Sequence, residues 1–352
     1  MAKEGKTRRR KAGARRLAPA VLLAGLALAG CREEPLLRQV STTPALHGER
    51  LNQEIGDLAE RARPGVLGAG VLNLESGEVW TFNGDRRFPL GGLAHLVIAA
   101  AVLAEVDAGR VGLDERLTLE ENDISPPPSG IAAAWPARRE YRLDDLLAAM
   151  VREADNTAAD VLLRRIGGPG GVSAWLAQAD IPGVRIDRYA RELETESAGM
   201  SSFRIAWKDE PIFLRALSAV PMERRVAAAS ARLQDPRDTA TPRGMLALLR
   251  RLSTGELLSE ASTERLLALM AESGRAERLA AGFPEGAQAV HAPGDARVTL
   301  GVASATHDVA LVRLPDGRDY AAAVFLSGAT LDSAARDALI AETARAAMRG
   351  VR

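Results

Sequence analysis

Histidine is the residue type best suited to move a proton near neutral pH, and the chain has four: His47, His95, His291 and His307. With an ordinary pKa near 6.5, His95 could act as a general base toward water, with Glu153 or Asp155 orienting its ring. The interpretation we favour is simpler: His95 fills space and hydrogen-bonds a neighbour.

Metal binding has little support in the sequence. No two histidines have the helical or hairpin spacing that is typical of metal ligands. A two-histidine site would require His95 and His291 to meet in a cleft, which is the less favoured alternative. We therefore expect neither a metal nor another cofactor.

Serine chemistry lacks its usual signatures as well. The S-x-x-K pattern occurs nowhere between Leu51 and Met348, and no G-x-S-x-G elbow surrounds a serine. Ser201-Ser202 and the serines from Ser125 to Ser129 fall in predicted loops, where we expect solvated side chains. The chain thus offers no recognisable nucleophile.

The most informative segment runs from Arg86 to Arg110 and reads RRFPLGGLAHLVIAAAVLAEVDAGR. Its stretch from His95 to Ala108 is apolar nearly all round, which predicts a helix buried on every side. Gly109 fits the end of that helix. Chemistry placed at the start of such a helix would be held rigidly.

The elements on either side of this helix alternate in a definite order. Leu51–Arg63 has helical periodicity, and Val66–Leu74 with Glu78–Asn83 predicts a hairpin. Further helices are predicted at 143–165 (broken near residues 154–156), 242–252, 262–272 and 331–348, and strands at 295–307, 309–314 and 320–327. This order predicts an α/β (α+β) fold, in which the first and last segments form one antiparallel sheet flanked by helices, with an all-helical insert.

Eight short runs, in order along the chain, resemble class A serine β-lactamases and the wider penicillin-recognising, DD-peptidase-like family. They cover roughly Leu51 to Met348. The runs are Arg86-Arg87-Phe88-Pro89, residues 99–109, Asp155-Asn156-Thr157-Ala158, Ile166-Gly167-Gly168-Pro169, Asp187-Arg188-Tyr189, residues 237–242, residues 254–258 and Ala281-Gly282-Phe283-Pro284.

In that family an R-F-P-x-x-S-x-x-K run opens the buried helix, and its Ser attacks the lactam carbonyl while its Lys helps to deprotonate the Ser. Aligned on Phe88-Pro89, the Ser position holds Gly92 and the Lys position holds His95. Glycine has no side chain that could be acylated. The resemblance therefore implies a hydrolase fold without the hydrolase nucleophile.

The family's other catalytic positions are also substituted. The second Ser of its S-D-N motif is Ala154 here, although Asp155 and Asn156 remain. In its omega loop the general-base Glu is Ala190 and the water-holding Asn is Glu194, and the K-T-G strand becomes residues 292–294, with Ala292 first and Gly294 last. Losing one member of a coupled catalytic set can cost about 10⁶ in turnover.

The resemblance thus implies a catalytically inactive homologue that acts as a ligand-binding or partner-binding module. The alternative is a weak β-lactamase-type or other hydrolase that uses His95 as a general base. We expect the residues of the remaining cleft to be His95, Asp155, Asn156, His291 and Gly294.

Two further features concern the loop that follows the helical block. In the family the omega-loop Arg pairs with an Asp at the far end of the loop, and Arg188 and Asp238 hold those places here. Between them, at about 195–234, lies an insertion that the family lacks. It is either a lid or partner surface beside the cleft, or a small helical unit that packs its own apolar residues.

The N-terminus is typical of an exported lipoprotein. A basic stretch and a short apolar run, Leu17 to Gly30, precede Leu28-Ala29-Gly30-Cys31, which resembles a lipobox. The expected organisation is a signal peptide at 1–30, a tether at 31–50 that begins with lipidated Cys31, and a β-lactamase-like domain at 51–350. Its sheet half would be 51–87 and 245–350, and its helical half 88–244.

Charge limits the partners. The chain has 46 basic and 46 acidic residues, and removal of 1–30 leaves 38 basic and 45 acidic residues, a formal charge of −7. Such a balance argues against nucleic acid. We expect a monomer anchored in the bacterial cell envelope and facing the periplasm, with the outer membrane favoured because Arg32 follows the cysteine. A cell-wall peptide or an envelope protein is the expected partner.

Overall fold

The computed structural model describes residues 46–273 and 276–351. The predicted signal peptide, Cys31 and most of the predicted tether lie outside these residues. None of the helices in the described ranges combines the length and the apolar character needed to cross a membrane.

The strands of the described ranges form one large sheet and three short ribbons. They are β1 (Val66–Asn73), β2 (Val79–Phe82), β3 (Phe88–Pro89), β4 (Arg116–Thr118), β5 (Glu140–Arg142), β6 (Thr239–Ala240), β7 (Gln288–Asp295), β8 (Val298–Thr299), β9 (Val302–Ala303), β10 (Thr306–Arg313) and β11 (Asp319–Ser327).

Helices surround the large sheet. They are α1 (Gly48–Arg61), α2 (Leu93–Asp107), α3 (Gly130–Ala134), α4 (Leu143–Glu153), α5 (Asn156–Arg165), α6 (Gly168–Gln178), α7 (Ala190–Ser197), α8 (Glu210–Ser218), α9 (Met222–Gln234), α10 (Pro242–Ser253), α11 (Glu260–Ser273), α12 (Leu279–Gly282) and α13 (Ser333–Arg349). Short 3₁₀ turns occupy Glu121–Asp123 and Ile205–Trp207.

The large sheet is antiparallel throughout and has the order β2-β1-β11-β10-β7. Its first and last segments meet where β1 pairs with β11, from Val66 opposite Ser327 to Asn73 opposite Tyr320. The predicted α/β architecture, with the two ends of the chain in one antiparallel sheet, is confirmed.

Both faces of this sheet are buried, because side chains alternate along each strand. On β11, Ala323 and Phe325 face the core that contains α2, α4, α5 and α10. Val324 and Leu326 face the opposite core, which is built with α1 and α13. The sheet thus lies between two helical layers. The face of the sheet on which a side chain lies determines the core in which it packs.

Helix α2 crosses the larger core and is buried on nearly every side, as its apolar sequence predicts. It contacts α4, α5, α11 and β7. The helix ends at Asp107, and Gly109 follows with a φ of 69°, a conformation that favours glycine. The start of α2 is therefore fixed by packing on all sides.

The strand predicted over 295–307 is wrong. The strand next to β10 is β7, which ends at Asp295, and the residues after it form the small β8–β9 ribbon. Pro293 made β7 look unlike a strand, because proline lacks the N–H that a ladder uses. Since β7 lies at the edge of the sheet, that donor is not needed there.

The domain begins earlier than its periodicity indicated. Helix α1 starts at Gly48, inside the predicted tether, rather than at Leu51. Just before it, Leu46 forms a bridge with Val351, and the His47 N–H donates to the Gly350 carbonyl at 2.8 Å. The two ends of the described domain are therefore neighbours.

Close packing of α12 against α13 gives a stability prediction. A Cβ placed on Gly282 would lie 2.2 Å from the Ala341 carbonyl oxygen, whereas one on Gly170 in α6 meets nothing within 4 Å. We expect Gly282→Ala to lower the free energy of unfolding by about 1–3 kcal/mol. Gly170→Ala should raise it by about 0.5–1 kcal/mol, because alanine loses less backbone entropy on folding. Denaturant unfolding of both variants measures the contrast, and equal midpoints would contradict it.

Candidate functional site

The N-terminal end of α2 lies against the edge strand β7. The Gly92 N–H donates to the Asp295 carbonyl at 2.8 Å. A Cβ on Gly92 would lie 3.3 Å from the Pro293 carbonyl oxygen and 3.4 Å from the Asp295 amide nitrogen. An oxyanion site needs backbone N–H groups aimed at the reacting oxygen. Here the Gly92 N–H is already bonded, and a side chain on Gly92 would lie in contact with the backbone of β7.

His95 lies one helical turn further along α2 and lines the adjoining cleft. No hydrogen bond joins its ring to another described residue, and burial lowers its pKa to about 4. The ring is therefore neutral at pH 7. Glu153 also lines the cleft, but neither Glu153 nor Asp155 is hydrogen-bonded to His95, so the expected orienting carboxylate is not in place.

Asp155 and Asn156 have separate roles. Asp155 is only 1% exposed and accepts hydrogen bonds from the Ser129 hydroxyl (2.7 Å) and from the backbone N–H groups of Ile131 (3.0 Å) and Ala158 (2.9 Å). It caps α5 and does not line the cleft, contrary to our expectation. Asn156 does line it, and its amide donates to the Pro126 carbonyl at 3.0 Å.

The expected contribution of His291 and Gly294 to the cleft is also wrong. The His291 Nδ1 lies 3.0 Å from an Asp308 oxygen, and the same carboxylate accepts from the Leu279 N–H of α12, on the far side of the sheet. Gly294 is buried against α2, where a Cβ would lie 2.5 Å from the Leu93 Cγ. His95 and His291 therefore lie on opposite faces of the sheet.

The described residues hold no cluster of three or more His, Cys, Asp or Glu side chains suited to a metal. The serines expected to be solvated differ from one another. Ser201 and Ser202 are exposed, whereas Ser125 is fully buried and donates to Asp160 at 2.5 Å. Asp160 also accepts from the N–H groups that begin α7, and burial raises its pKa to about 6.

The ion pair expected between Arg188 and Asp238 is present. The Arg188 Nε lies 2.6 Å from the Asp238 Oδ2, and both side chains are buried. The guanidinium also contacts Glu196, and its Nη2 lies 3.1 Å from Asp235. The other Asp238 oxygen accepts from the backbone N–H groups of Asp187 and Arg188. This cluster fixes the loop that carries Ala190.

The segment from about 195 to 234 forms a small helical unit that packs its own apolar residues, one of the two alternatives left open by the sequence. Phe203 and Phe213 pack with Ile124 and Ala132 in a small separate core. Other side chains of α8 and α9 form one wall of the cleft. The segment is thus a folded helical unit and also part of the site.

The cleft has a volume of about 1130 Å³ and lies between the start of α2, the α4–α5 junction, the β7–β8 turn and this helical unit. Two acidic side chains, Glu194 and Glu210, border it beside the half-buried Arg297. Burial raises the pKa of Glu194, which lies on α7 with Oε2 3.8 Å from the Arg297 Nε. Arg297 donates to Glu210 of α8 at 2.7 Å and to the Pro127 carbonyl at 2.9 Å. Arg297 thus bridges opposite walls of the cleft.

Comparison with known proteins assigns the family. Residues 50–351 match the model of the β-lactamase enzyme family. The chain belongs to this family. Its fold is that of the class A enzymes: it is similar to the last common ancestor of Gram-negative bacteria class A β-lactamase, at 30% identity and a TM-score of 0.66, over 85% of this chain and 98% of that chain. It is also similar to a β-lactamase from Chitinophaga pinensis, at 27% identity and a TM-score of 0.67, over 84% and 97%.

Within this β-lactamase fold, the substituted positions fall in two groups. Gly92, His95, Ala154, Ala190 and Glu194 line the cleft, whereas Ala292 is buried in the core beside α2. The five cleft positions offer one imidazole and one carboxylate, and no hydroxyl or amine. Two polar groups of the cleft could not be predicted: Arg225 and Arg232 come from α9, where nothing in the sequence pattern indicated a site.

The Arg188 cluster yields a stability prediction. Arg188→Met leaves the buried Asp238 carboxylate without its cation, and we expect a loss of about 3–5 kcal/mol in the free energy of unfolding. Arg243→Ala is the matched control, because it removes a pair with exposed Asp85 and should cost no more than about 1 kcal/mol. Urea unfolding compares the two; similar losses would show that the buried pair has no special role.

His95 predicts a pH dependence. Its folded pKa of about 4 lies below the unfolded value of about 6.5, so its neutral ring favours folding above pH 6.5. That contribution is lost as the pH falls from about 6.5 to about 4. As the pH falls through this window, the free energy of unfolding of His95→Gln should decline less steeply than that of the unsubstituted protein. The two slopes should differ by up to about 1.4 kcal/mol per pH unit. His307, shifted in the same way, is unchanged in both proteins. Parallel curves for the two proteins would contradict the assignment.

Proposed function

We propose that this β-lactamase-family chain is a catalytically inactive homologue that binds a ligand or a partner through its cleft. The observation that carries the proposal is the structure at the start of α2. Gly92 offers no atom that could form an acyl ester, and its N–H is bonded to the Asp295 carbonyl. Covalent catalysis needs both a nucleophile and donors for the oxyanion.

The surroundings of Gly92 support the same proposal. Ala154 and Ala190 border the cleft without a proton-carrying group, and Asp155 is used to cap α5. A cleft of about 1130 Å³ nevertheless remains, of a size that holds small ligands. The reactive groups are lost, but the lined cavity remains. This combination favours ligand binding over catalysis.

The proposed setting is the bacterial cell envelope. In this view Cys31 is lipidated after removal of residues 1–30, and the monomeric domain faces the periplasm, with the outer membrane favoured. A cell-wall peptide or an envelope protein would then be the partner. The lipobox-like Leu28-Ala29-Gly30-Cys31 sequence supports this setting.

A second candidate function is a weak hydrolase with His95 as general base. The observation in its favour is a neutral imidazole in the cleft that has no hydrogen-bond partner among the described residues. It predicts turnover that disappears in His95→Ala.

Incubation of the purified protein with excess penicillin, followed by intact-mass spectrometry, tests the proposal. We expect no covalent adduct, and no hydrolysis of a chromogenic cephalosporin above buffer, for either the native chain or His95→Ala. A mass increase equal to the penicillin would overturn the proposal. Turnover lost only in His95→Ala would establish the second candidate.

A further inference from the structure

Exposed apolar side chains are unevenly distributed over the described surface. Eight large ones are exposed, and all but Val79 belong to α8, α9 or the β8–β9 ribbon; they are Val79, Ile212, Leu214, Met222, Val226, Leu233, Val298 and Leu300. Scattered exposed apolar residues need no explanation, but a concentration beside a cavity marks a binding surface.

Three of these side chains line the cleft itself. Leu214 of α8 is 47% exposed, Leu233 of α9 is 39% exposed and Val298 of β8 is 47% exposed. Buried Phe213 lines the same cleft, and its ring lies against the Arg297 guanidinium. The cleft therefore has an apolar outer wall, contributed mainly by the α8–α9 segment.

Two arginines of α9 lie on the same wall. Arg225 makes no ion pair and no side-chain hydrogen bond with the described residues. Arg232 is only 7% exposed, yet its guanidinium donates only to two backbone carbonyls, those of Arg237 at 3.2 Å and Asp238 at 3.3 Å. Neither arginine has a carboxylate at ion-pair distance in the described ranges.

The burial of Arg232 is unusual for this helix. It is the one buried residue of α9 in the structure as described, while Met222, Val226 and Leu233 of the same helix are exposed. Burial, and next the like charge of Arg188, lower the pKa of Arg232, whereas the charges of Asp238, Asp235 and Glu194 raise it without cancelling those effects. A further anion at this wall would stabilise the charged guanidinium, since opposite charges attract strongly in a partly desolvated site.

We propose that the α8–α9 wall binds an amphipathic anion, with an aliphatic chain against Leu214 and Leu233 and a carboxylate or phosphate head group at Arg225 and Arg232. The subsite rests on the proposed function only in requiring an open cleft. All four of its named residues belong to α8 and α9. The two arginines favour an anionic head group by charge complementarity. The exposed leucines favour a ligand with an aliphatic chain.

The strength of each contact sets what should be measured. Burying one methylene group contributes about a fourfold gain in affinity. Replacing an anionic head group by a cationic one of equal chain length should cost at least about tenfold, because a charge-assisted hydrogen bond is exchanged for like-charge repulsion.

Calorimetric titration with hexanoate, octanoate and decanoate, all below their micellar concentrations, measures how the affinity depends on chain length. Decylamine and decyl phosphate, which have the same chain length as decanoate, measure how the affinity depends on the charge of the head group. We expect affinity to rise about fourfold per methylene, and decylamine to bind at least about tenfold more weakly than decanoate. No binding of decanoate at millimolar concentration, or equal binding of decylamine, would overturn the proposal.

Variants assign these effects to residues. Leu214→Ser and Leu233→Ser should flatten the chain-length dependence, and Arg225→Gln should reduce the preference for decanoate over decylamine. Arg225→Gln carries the charge test even if Arg232→Gln fails to fold. Val79→Ser is the matched control, because Val79 is 42% exposed but does not line the cleft. If it weakens decanoate binding as much as Leu233→Ser does, the assignment is wrong.

Two sources share this chemistry, and competition separates them. If phosphatidylglycerol vesicles displace decanoate, the natural ligand is a membrane lipid; if they do not, it is a soluble amphiphile. These results are independent of the penicillin experiment. A penicillin adduct with intact decanoate binding would remove only the proposed function, and absent decanoate binding without an adduct would remove only this inference.

Discussion

The close approach of β7 to the start of α2 is the constraint on which the rest of the site depends. Gly294 allows the strand to touch Leu93, and the hydrogen bond from the Gly92 N–H to the Asp295 carbonyl joins the two elements at the next residue. A larger side chain at Gly294 would push the strand away. Because helix and strand are joined there, the cleft is bounded by the start of α2, where Gly92 and His95 line it, and extends from there toward α7, α8 and α9.

The second organising feature is the Arg188 cluster, which holds both ends of the segment that contains α8 and α9. Arg188 contacts Glu196, near the start of the inserted segment, and Asp235, directly after α9. Asp238 completes the cluster. Both ends of the segment are thus held at one buried cation, so its length adds little entropy cost to the closure of the loop. The Arg188–Asp238 ion pair is thus also the base of the cleft wall that α8 and α9 form.

Sequence reasoning reached the fold because its strongest signals are periodic: the apolar α2, the β1–β2 hairpin and the long closing helix all depend on local pattern. It failed at Pro293, where a residue that disfavours strands is harmless at a sheet edge. It also placed His291 in the cleft, although alternation from Ala292, which packs against α2, assigns the neighbouring His291 to the other face. The position of Arg225 and Arg232 in the cleft could not be predicted. On α9 an arginine is buried while apolar residues are exposed, the opposite of the usual pattern, and this depends on where the helix lies in the folded protein.

The pairing of Leu46 with Val351 has an architectural consequence. The chain enters and leaves the described domain at neighbouring positions, so a tag or fusion attached after Val351 would start beside Leu46. The same proximity suits circular permutation, since a short linker can join the old ends. New ends opened between α8 and α9, near exposed Ala219, would then separate the two helices of the α8–α9 wall without cutting the central sheet.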